Sequence, residues 1–233
     1  MPMNHRLLRP RASGLAALRR DIAAYWTLNE TATSGDVTAI DATGRGNDLA
    51  SNNSVLSAVG LKGNGRVIVP ANSEFLSRAA NTDLQLGNTD WTLAGWAKVA
   101  TDGGIFAAKD ISGNREFYIN VQSNTRFAHF NSNGTEQYVD VSGFVTNSWN
   151  WFCMRHTGGV ITCRVNGTTG TLTRAAGATW VTRSTPFTLG ARSFVGFQGY
   201  FNATLDEVGK WNRALSDKEL DTLYNNGNGV ALY

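Results

Sequence analysis

Cysteine, histidine and proline are scarce in this chain, and each scarcity removes a class of explanation. Two cysteines, Cys153 and Cys163, are too few for a disulfide scaffold. Three scattered histidines, His5, His129 and His156, offer no zinc-ligand spacing, and no G-x-S-x-G elbow or Ser-His-Asp set accompanies them. No apolar run reaches membrane-spanning length, and residues 1–20 lack the continuous hydrophobic stretch of a secretory leader. Membrane insertion is therefore not expected. Charge is also thin, at 17% of residues, and it is unevenly placed. Five of the 21 basic residues, Arg6, Arg9, Arg11, Arg19 and Arg20, fall within the first twenty positions, where no acid occurs. The rest of the chain is slightly acidic although the whole carries +3. A nucleic-acid binder needs a basic face on its folded part to release counterions from phosphates, and no such run exists, so no nucleic-acid partner is expected.

What the chain has in quantity is glycine, 25 residues, together with Thr, Ser, Asn and seven tryptophans. Runs rich in β-branched and aromatic residues recur at roughly ten-residue intervals between Gly or Asn turns, the pattern of many short antiparallel strands. The first is Ala23 to Leu28, the longest include Trp91 to Val99 and Ala203 to Asn212, and no helical period intervenes. One helix is expected near the end. Ser216-Asp217-Lys218-Glu219 forms a capping box, Leu220, Leu223 and Tyr224 share a helical face, and Gly227 stands where a left-handed C-cap belongs. The fold class predicted is all-β: a two-sheet antiparallel β-sandwich with one short C-terminal helix, forming a single domain over residues 21–233. Residues 1–20 read as a flexible basic arm, in which Gly14 to Ile22 has the composition for one or two helical turns.

Cys153 and Cys163 fall in a hairpin, Trp149 to His156 and Val160 to Asn166, turning at Gly158-Gly159. A three-residue loop would set them directly opposite each other, either as two small buried thiols on one face or as a cross-strand disulfide.

Four stretches carry a family resemblance. Trp91-Thr-Leu-Ala-Gly-Trp-Ala-Lys is similar to the "FTISAWVK" strand of laminin-G-like, concanavalin A-like jelly rolls, and Trp151 to Gly167 resembles their "W-HVA…G-V-LYVNG" hairpin. Phe187-Thr-Leu-Gly resembles the following "L-IG" strand, and Leu205-Asp-Glu-Val-Gly-Lys-Trp-Asn-Arg-Ala-Leu-Ser resembles the "IDEVRIYNRALS" ending almost residue for residue. The resemblance spans about residues 23–230. It implies a jelly roll and a structural Ca2+ site in which Asp206 joins oxygens from Asn29, Glu30 and Asp41. The alternative role for Asp206 is to accept backbone amides at the strand entry.

Catalysis is not expected. The E-x-D-x-x-E strand motif of glycoside hydrolases on this fold is missing, and simple strand alternation would send Asp206 and Glu207 to opposite faces. The resemblance to lectin-like folds makes carbohydrate the expected ligand, with Trp180, Phe194, Phe197 and Tyr200 as candidate stacking residues in and before the Gly-rich stretch that precedes the closing strand. These aromatics also suit packing beneath a long loop. The arm, Arg6-Leu-Leu-Arg-Pro-Arg-Ala-Ser-Gly, resembles short segments that attach small phage virion proteins to a capsid or tail. On that likeness the chain reads as an oligomeric virion surface protein, anchored to other virion proteins through Arg6, Arg9 and Arg11 and facing host surface glycans. The competing reading is a lectin-like domain of an extracellular or cell-surface bacterial protein.

Overall fold

A computed structural model describes residues 11–111, 114–174, 176–193 and 197–233, with side chains described for all but 11–13, 193, 197 and 198. Arg6, Arg9 and Phe194 therefore lie outside the described residues, as do the side chains of Arg11 and Phe197.

The chain enters through helix α1 (Arg11–Leu18) and strand β1 (Ile22–Trp26). It continues through β2 (Ala50–Asn52), β3 (Leu56–Val59), β4 (Asn64–Ile68), β5 (Phe75–Arg78), β6 (Trp91–Val99) and β7 (Ile105–Ile111). Next come β8 (Asn114–Asn120), β9 (Thr125–Phe130), β10 (Glu136–Val141), β11 (Trp149–Thr157), β12 (Val160–Val165) and β13 (Thr168–Thr173). The chain closes with β14 (Phe187–Leu189), the short pair β15 (Arg192–Ser193) and β16 (Phe197–Gln198), β17 (Ala203–Trp211) and helix α2 (Asp217–Tyr224).

Among the described residues the strands form two large antiparallel sheets. One runs β13-β12-β11-β6-β17-β4-β3, with β1 also paired to β17, and the other runs β10-β9-β8-β7-β14-β5-β2. Period-two alternation builds the layer between them. Along β6, Trp91, Leu93, Ala97 and Val99 join the interior cluster, while Ala94 and Trp96 join a second cluster on the outer face. Gly95 is required where the sheets approach. A Cβ there would lie 2.7 Å from Val208 Cγ2 and 3.0 Å from Phe106 Cζ, too close to be accommodated. The sandwich with a short C-terminal helix is thus the architecture, as the strand pattern predicted.

The capping box forms as expected, with the Ser216 side chain accepting from the Glu219 amide. The left-handed C-cap is Asn225, at φ 47°, rather than Gly227, because the helix ends two residues earlier than the Gly rule suggested.

The hairpin corrects the cysteine expectation. Thr157 pairs with Val160, so the loop is the two residues Gly158 and Gly159, both at positive φ. That register sets Cys163 opposite Met154 and sends its side chain to the sandwich interior, whereas Cys153 joins the outer cluster. The thiols sit on opposite faces of the sheet, and both are free.

The arm is also revised. Helix α1 and the residues after it are packed on the body: Leu18 is fully buried, its carbonyl accepts from Trp211 Nε1 at 2.6 Å, and Arg213 Nη2 donates to the Ala17 carbonyl at 2.8 Å. Arg19 donates to the Leu232 carbonyl and lies over the Tyr233 ring. Apolar spacing at Leu15, Leu18 and Ile22 supplies the docking edge that the Arg content concealed. No helix among the described residues is long and apolar enough to cross a membrane.

Candidate functional site

The two outer faces of the sandwich differ. That of the eight-stranded sheet is covered by α1, α2 and the C-terminal residues, which bury Tyr25, Trp96, Trp151 and Trp211. That of the seven-stranded sheet carries rows of polar and aromatic side chains. One row runs across four strands, Ala108 of β7, Tyr118 of β8, Ala128 of β9 and Tyr138 of β10. The next row is Asn120, Arg126 and Asp140. Alternation along β10 sets Glu136, Tyr138 and Asp140 on this face, while Val141 points to the interior.

The small alanines in the first row leave room for long neighbours to fold over the rings. Arg126 grips Asp140 with two hydrogen bonds of 2.9 and 3.0 Å, and its guanidinium lies 3.8 Å from the centre of the Tyr138 ring. Tyr138 itself is 53% exposed, a large aromatic left at the surface. Tyr118 donates to Glu136 at 2.6 Å beneath Arg192, 5.1 Å from its ring, and Arg115 lies 5.5 Å from the Phe130 ring. Arg115 and Arg192 share one carboxylate, that of the wholly buried Asp110, at 3.7 and 3.6 Å.

The electrostatics follow from these contacts. The hydrogen bond from Arg126 holds Asp140 below the usual carboxylate range and keeps it ionised. Burial raises Asp110, opposed by Arg192 and Arg115. Burial and the bond to Glu136 push the Tyr118 hydroxyl up, so it stays a donor at neutral pH. The face thus offers a flat aromatic surface, fixed charged forks and neutral donors, the combination that recognises a polar ring with an apolar face.

The four aromatic residues expected to stack on sugars fare differently. Trp180 is buried, donating from Nε1 to the Gly159 carbonyl at 3.2 Å and meeting the His129 ring at 4.9 Å. It is core, because the loop that carries it turns inward to seal the sandwich end. Tyr200 is half-buried beside Phe75, 6.4 Å between ring centres. Phe194 and the Phe197 side chain are not among the described atoms; of the described residues on either side, β15 packs on β7, and the Gly199 carbonyl accepts from the Ile105 amide at 2.8 Å.

The implied Ca2+ ligands do not converge. Asp206 Oδ2 accepts the Lys62 amide at 2.8 Å, and Asn29 Oδ1 accepts the Asn64 amide at 2.7 Å, so these two hold opposite ends of one loop. Glu30 accepts from the Ile40 amide at 2.8 Å and faces Arg66 at 3.7 Å, a cation already in place. Asp41 is spent on the amides of Tyr25, Thr43 and Asn47 and on the Thr43 hydroxyl. Among the described residues no group of three or more acids, His or Cys is disposed around a common centre. A hard cation wanting six to eight oxygens is not served by this set. The amide-accepting role is the one these side chains perform.

The pair Asp206 and Glu207 corrects another expectation. β17 bulges between Asp206, which faces Trp96, and Gly209, which faces Ala94. Glu207 adopts φ 48° inside the bulge, and the extra residue turns both carboxylates to the same outer side. Tyr25 donates to Glu207, which lies buried near Leu232, and Asp206 is buried against the 60–62 loop, accepting the Lys62 amide. Burial raises Asp206 to about 7 and Glu207 to about 8.

Residues 71–221 match the family model described as the concanavalin A-like lectin/glucanases superfamily. The chain belongs to this superfamily. No curated protein matches it in sequence. Among solved structures, this concanavalin A-like domain is similar to the binding domain of Paraclostridial Mosquitocidal Protein 1, with a TM-score of 0.71, 14% identity, and 90% of this chain and 53% of that one covered. It is likewise similar to a structure from work on cell entry of botulinum neurotoxin type C and its interaction with two ganglioside molecules (TM-score 0.68, 13% identity, 91% and 52% covered). A third is domain 4 of AbnA, a GH43 extracellular arabinanase of Geobacillus stearothermophilus, in complex with arabinotriose (TM-score 0.62, 14% identity, 90% and 98% covered). The domain spans about half the length of the two toxin chains and nearly all of the arabinanase domain. At these identities the likeness is one of fold.

The residues of the open face carried a sequence signal that aromatic-rich loops obscured. Glu136, Tyr138 and Asp140 alternate with Gln137, Val139 and Val141, and Arg126 alternates with Phe127. Such strands read as half-buried, with one face presenting an aromatic between two acids.

Proposed function

We propose that this concanavalin A-like domain is a non-catalytic glycan-binding module, and that sugar rings lie on the outer face of the seven-stranded sheet. The observation that carries the reading is the exposed Tyr138 ring held beside the Arg126 and Asp140 fork. A pyranose can lay its C–H face on such a ring while its hydroxyls bond to the fork, and an aromatic locked by a guanidinium loses little freedom on binding. The arabinotriose complex and the ganglioside interaction named for two relatives support carbohydrate as the ligand class.

Supporting the non-catalytic part, the acids available on the face are already engaged. Asp140 is held ionised by Arg126, Glu136 accepts from Tyr118, and Asp110 is buried between two arginines. Glycoside hydrolysis needs a protonated acid and a free carboxylate flanking the same bond. The virion expectation is not carried further: none of the three relatives is named as a virion component, and the docking of residues 14–20 removes about a third of the free arm on which it rested.

The test is a glycan array followed by calorimetry on the strongest hit. Tyr138→Ala and Arg126→Ala should each weaken binding about tenfold or more, with little change in melting temperature. Unchanged affinity in both variants would remove the face from consideration, and release of reducing ends would refute the non-catalytic claim.

A further inference from the structure

Guanidinium groups gather along the open face. Arg126 is matched by Asp140, and Arg115 and Arg192 both reach Asp110, whose side chain is wholly buried and presents no charge outward. Arg183 adds a further cation and forms no ion pair among the described residues. Its backbone is clamped on both sides, the amide donating to Glu116 at 2.6 Å and the carbonyl accepting from Lys109 Nζ at 3.0 Å. The side chain is therefore delivered to a fixed place, where its Nε is buried with no hydrogen-bond partner among the described residues.

That place is a cavity of about 250 Å³ lined by Arg115, Phe130, Gly134 and Arg183. Phe130 supplies an apolar floor and Gly134 an open wall, since a Cβ on Gly134 would meet nothing within 4 Å. The Phe130 and Ala128 positions are two residues apart on β9, and Ala128 pairs with Tyr138. The cavity thus lies roughly 7 Å along the strand from the exposed tyrosine row, a distance that adjacent rings of one oligosaccharide can span.

We infer that this cavity receives the anionic group of an acidic sugar, a uronate carboxylate or a sugar sulfate, through Arg183 and Arg115, so that the module selects acidic over neutral glycans. The inference rests on the glycan-binding reading and narrows it to a substrate class. Two guanidiniums at one cavity mouth favour a planar or tetrahedral oxyanion in paired hydrogen bonds. Phe130 packs the ring that bears it.

The test uses two probes with one backbone: a hexamer of α-1,4-galacturonate and its methyl ester, which removes the charge and keeps the sugar. The wild-type protein should bind the acid at least tenfold more tightly than the ester, and raising NaCl from 50 to 500 mM should erase most of the difference. Arg183→Gln should abolish the preference while leaving ester binding as it was, and Arg183→Glu should reverse it. Equal binding of both hexamers, unaffected by Arg183→Gln, would overturn the acidic-sugar inference and leave glycan binding standing. Binding of neither hexamer nor any glycan on an array would overturn both. Tighter binding of a single-stranded oligonucleotide than of the galacturonate would also overturn it, by making the site one for polyanions at large.

Discussion

Tyr25 on β1 donates its hydroxyl proton to Glu207 on β17, across the bulge that holds Glu207 in left-handed geometry. With Asp206 beside it, this places two carboxylates with raised pKa side by side in the buried outer layer of the sheet. Unfolded carboxylates titrate near 4, so the folded chain retains protons that the unfolded chain has lost. Their contribution is fully present below pH ~4 and is lost as pH rises through about 7 for Asp206 and about 8 for Glu207. Burial lowers His129 to about 4 and also lowers His156, which opposes the trend between about 4 and 6.5. Lys210, lowered to about 8 by burial, opposes it again from there upward, so the clearest window is about pH 6.5 to 7.5. Urea midpoints should fall across it, by up to about 1.4 kcal/mol per pH unit for each carboxylate still protonated. Asp206→Asn or Glu207→Gln should flatten the profile, and an equally steep profile in both variants would show that other groups set it.

Stability and binding should separate cleanly between two aromatics. Trp180→Ala removes a buried ring and should cost about 3–5 kcal/mol, seen as a large drop in melting temperature. Its glycan affinity, measured where the variant is folded, should equal that of the wild type. Tyr138→Ala should do the reverse. If Trp180→Ala loses binding while its melting temperature holds, the ring has been misplaced.

Gly95→Ala forces a methyl group against Val208 and Phe106 at the centre of the sandwich. Overpacking at such a point should cost about 1–3 kcal/mol, detectable by chemical denaturation. Gly167→Ala provides the comparison for the backbone contribution alone, because its Cβ meets nothing within 4 Å and its φ lies outside the left-handed region, as that of Gly95 does.

The thiols should be inert. Burial pushes Cys153 up to about 12 and raises Cys163 well above the ordinary thiol value too. Native protein should react with Ellman's reagent only at the rate of unfolding, and oxidation should yield no intramolecular disulfide. Rapid labelling of either cysteine would contradict the packing.

Much of the fold was legible because strand alternation and the terminal capping box are local signals. β6 runs from Trp91 to Val99, as the residues indicated, and α2 starts after Ser216. What escaped were features set by tertiary context. A two-residue turn in place of three reversed the relation of Cys153 to Cys163, and a bulge at Glu207 put two neighbouring acids on one side. Strand alternation assumes an unbroken ladder, and one extra or missing residue exchanges the two faces for everything beyond it. The candidate site was harder still. Trp180 and Tyr138 are both aromatic residues near polar ones, and only the path of the 174–187 loop decides which is sealed in.

β17 is the spine of its sheet, hydrogen-bonded to β6 along one side and to β4 and then β1 along the other, with Ile22 paired to Trp211. During synthesis β1 therefore emerges long before its partner, and the eight-stranded sheet stays split until the last portion leaves the ribosome. Closure of so distant a pairing is slow, and the waiting halves expose strand edges. Chains cut short before residue 203 should accumulate as chaperone-bound or aggregated species instead of as smaller folded domains.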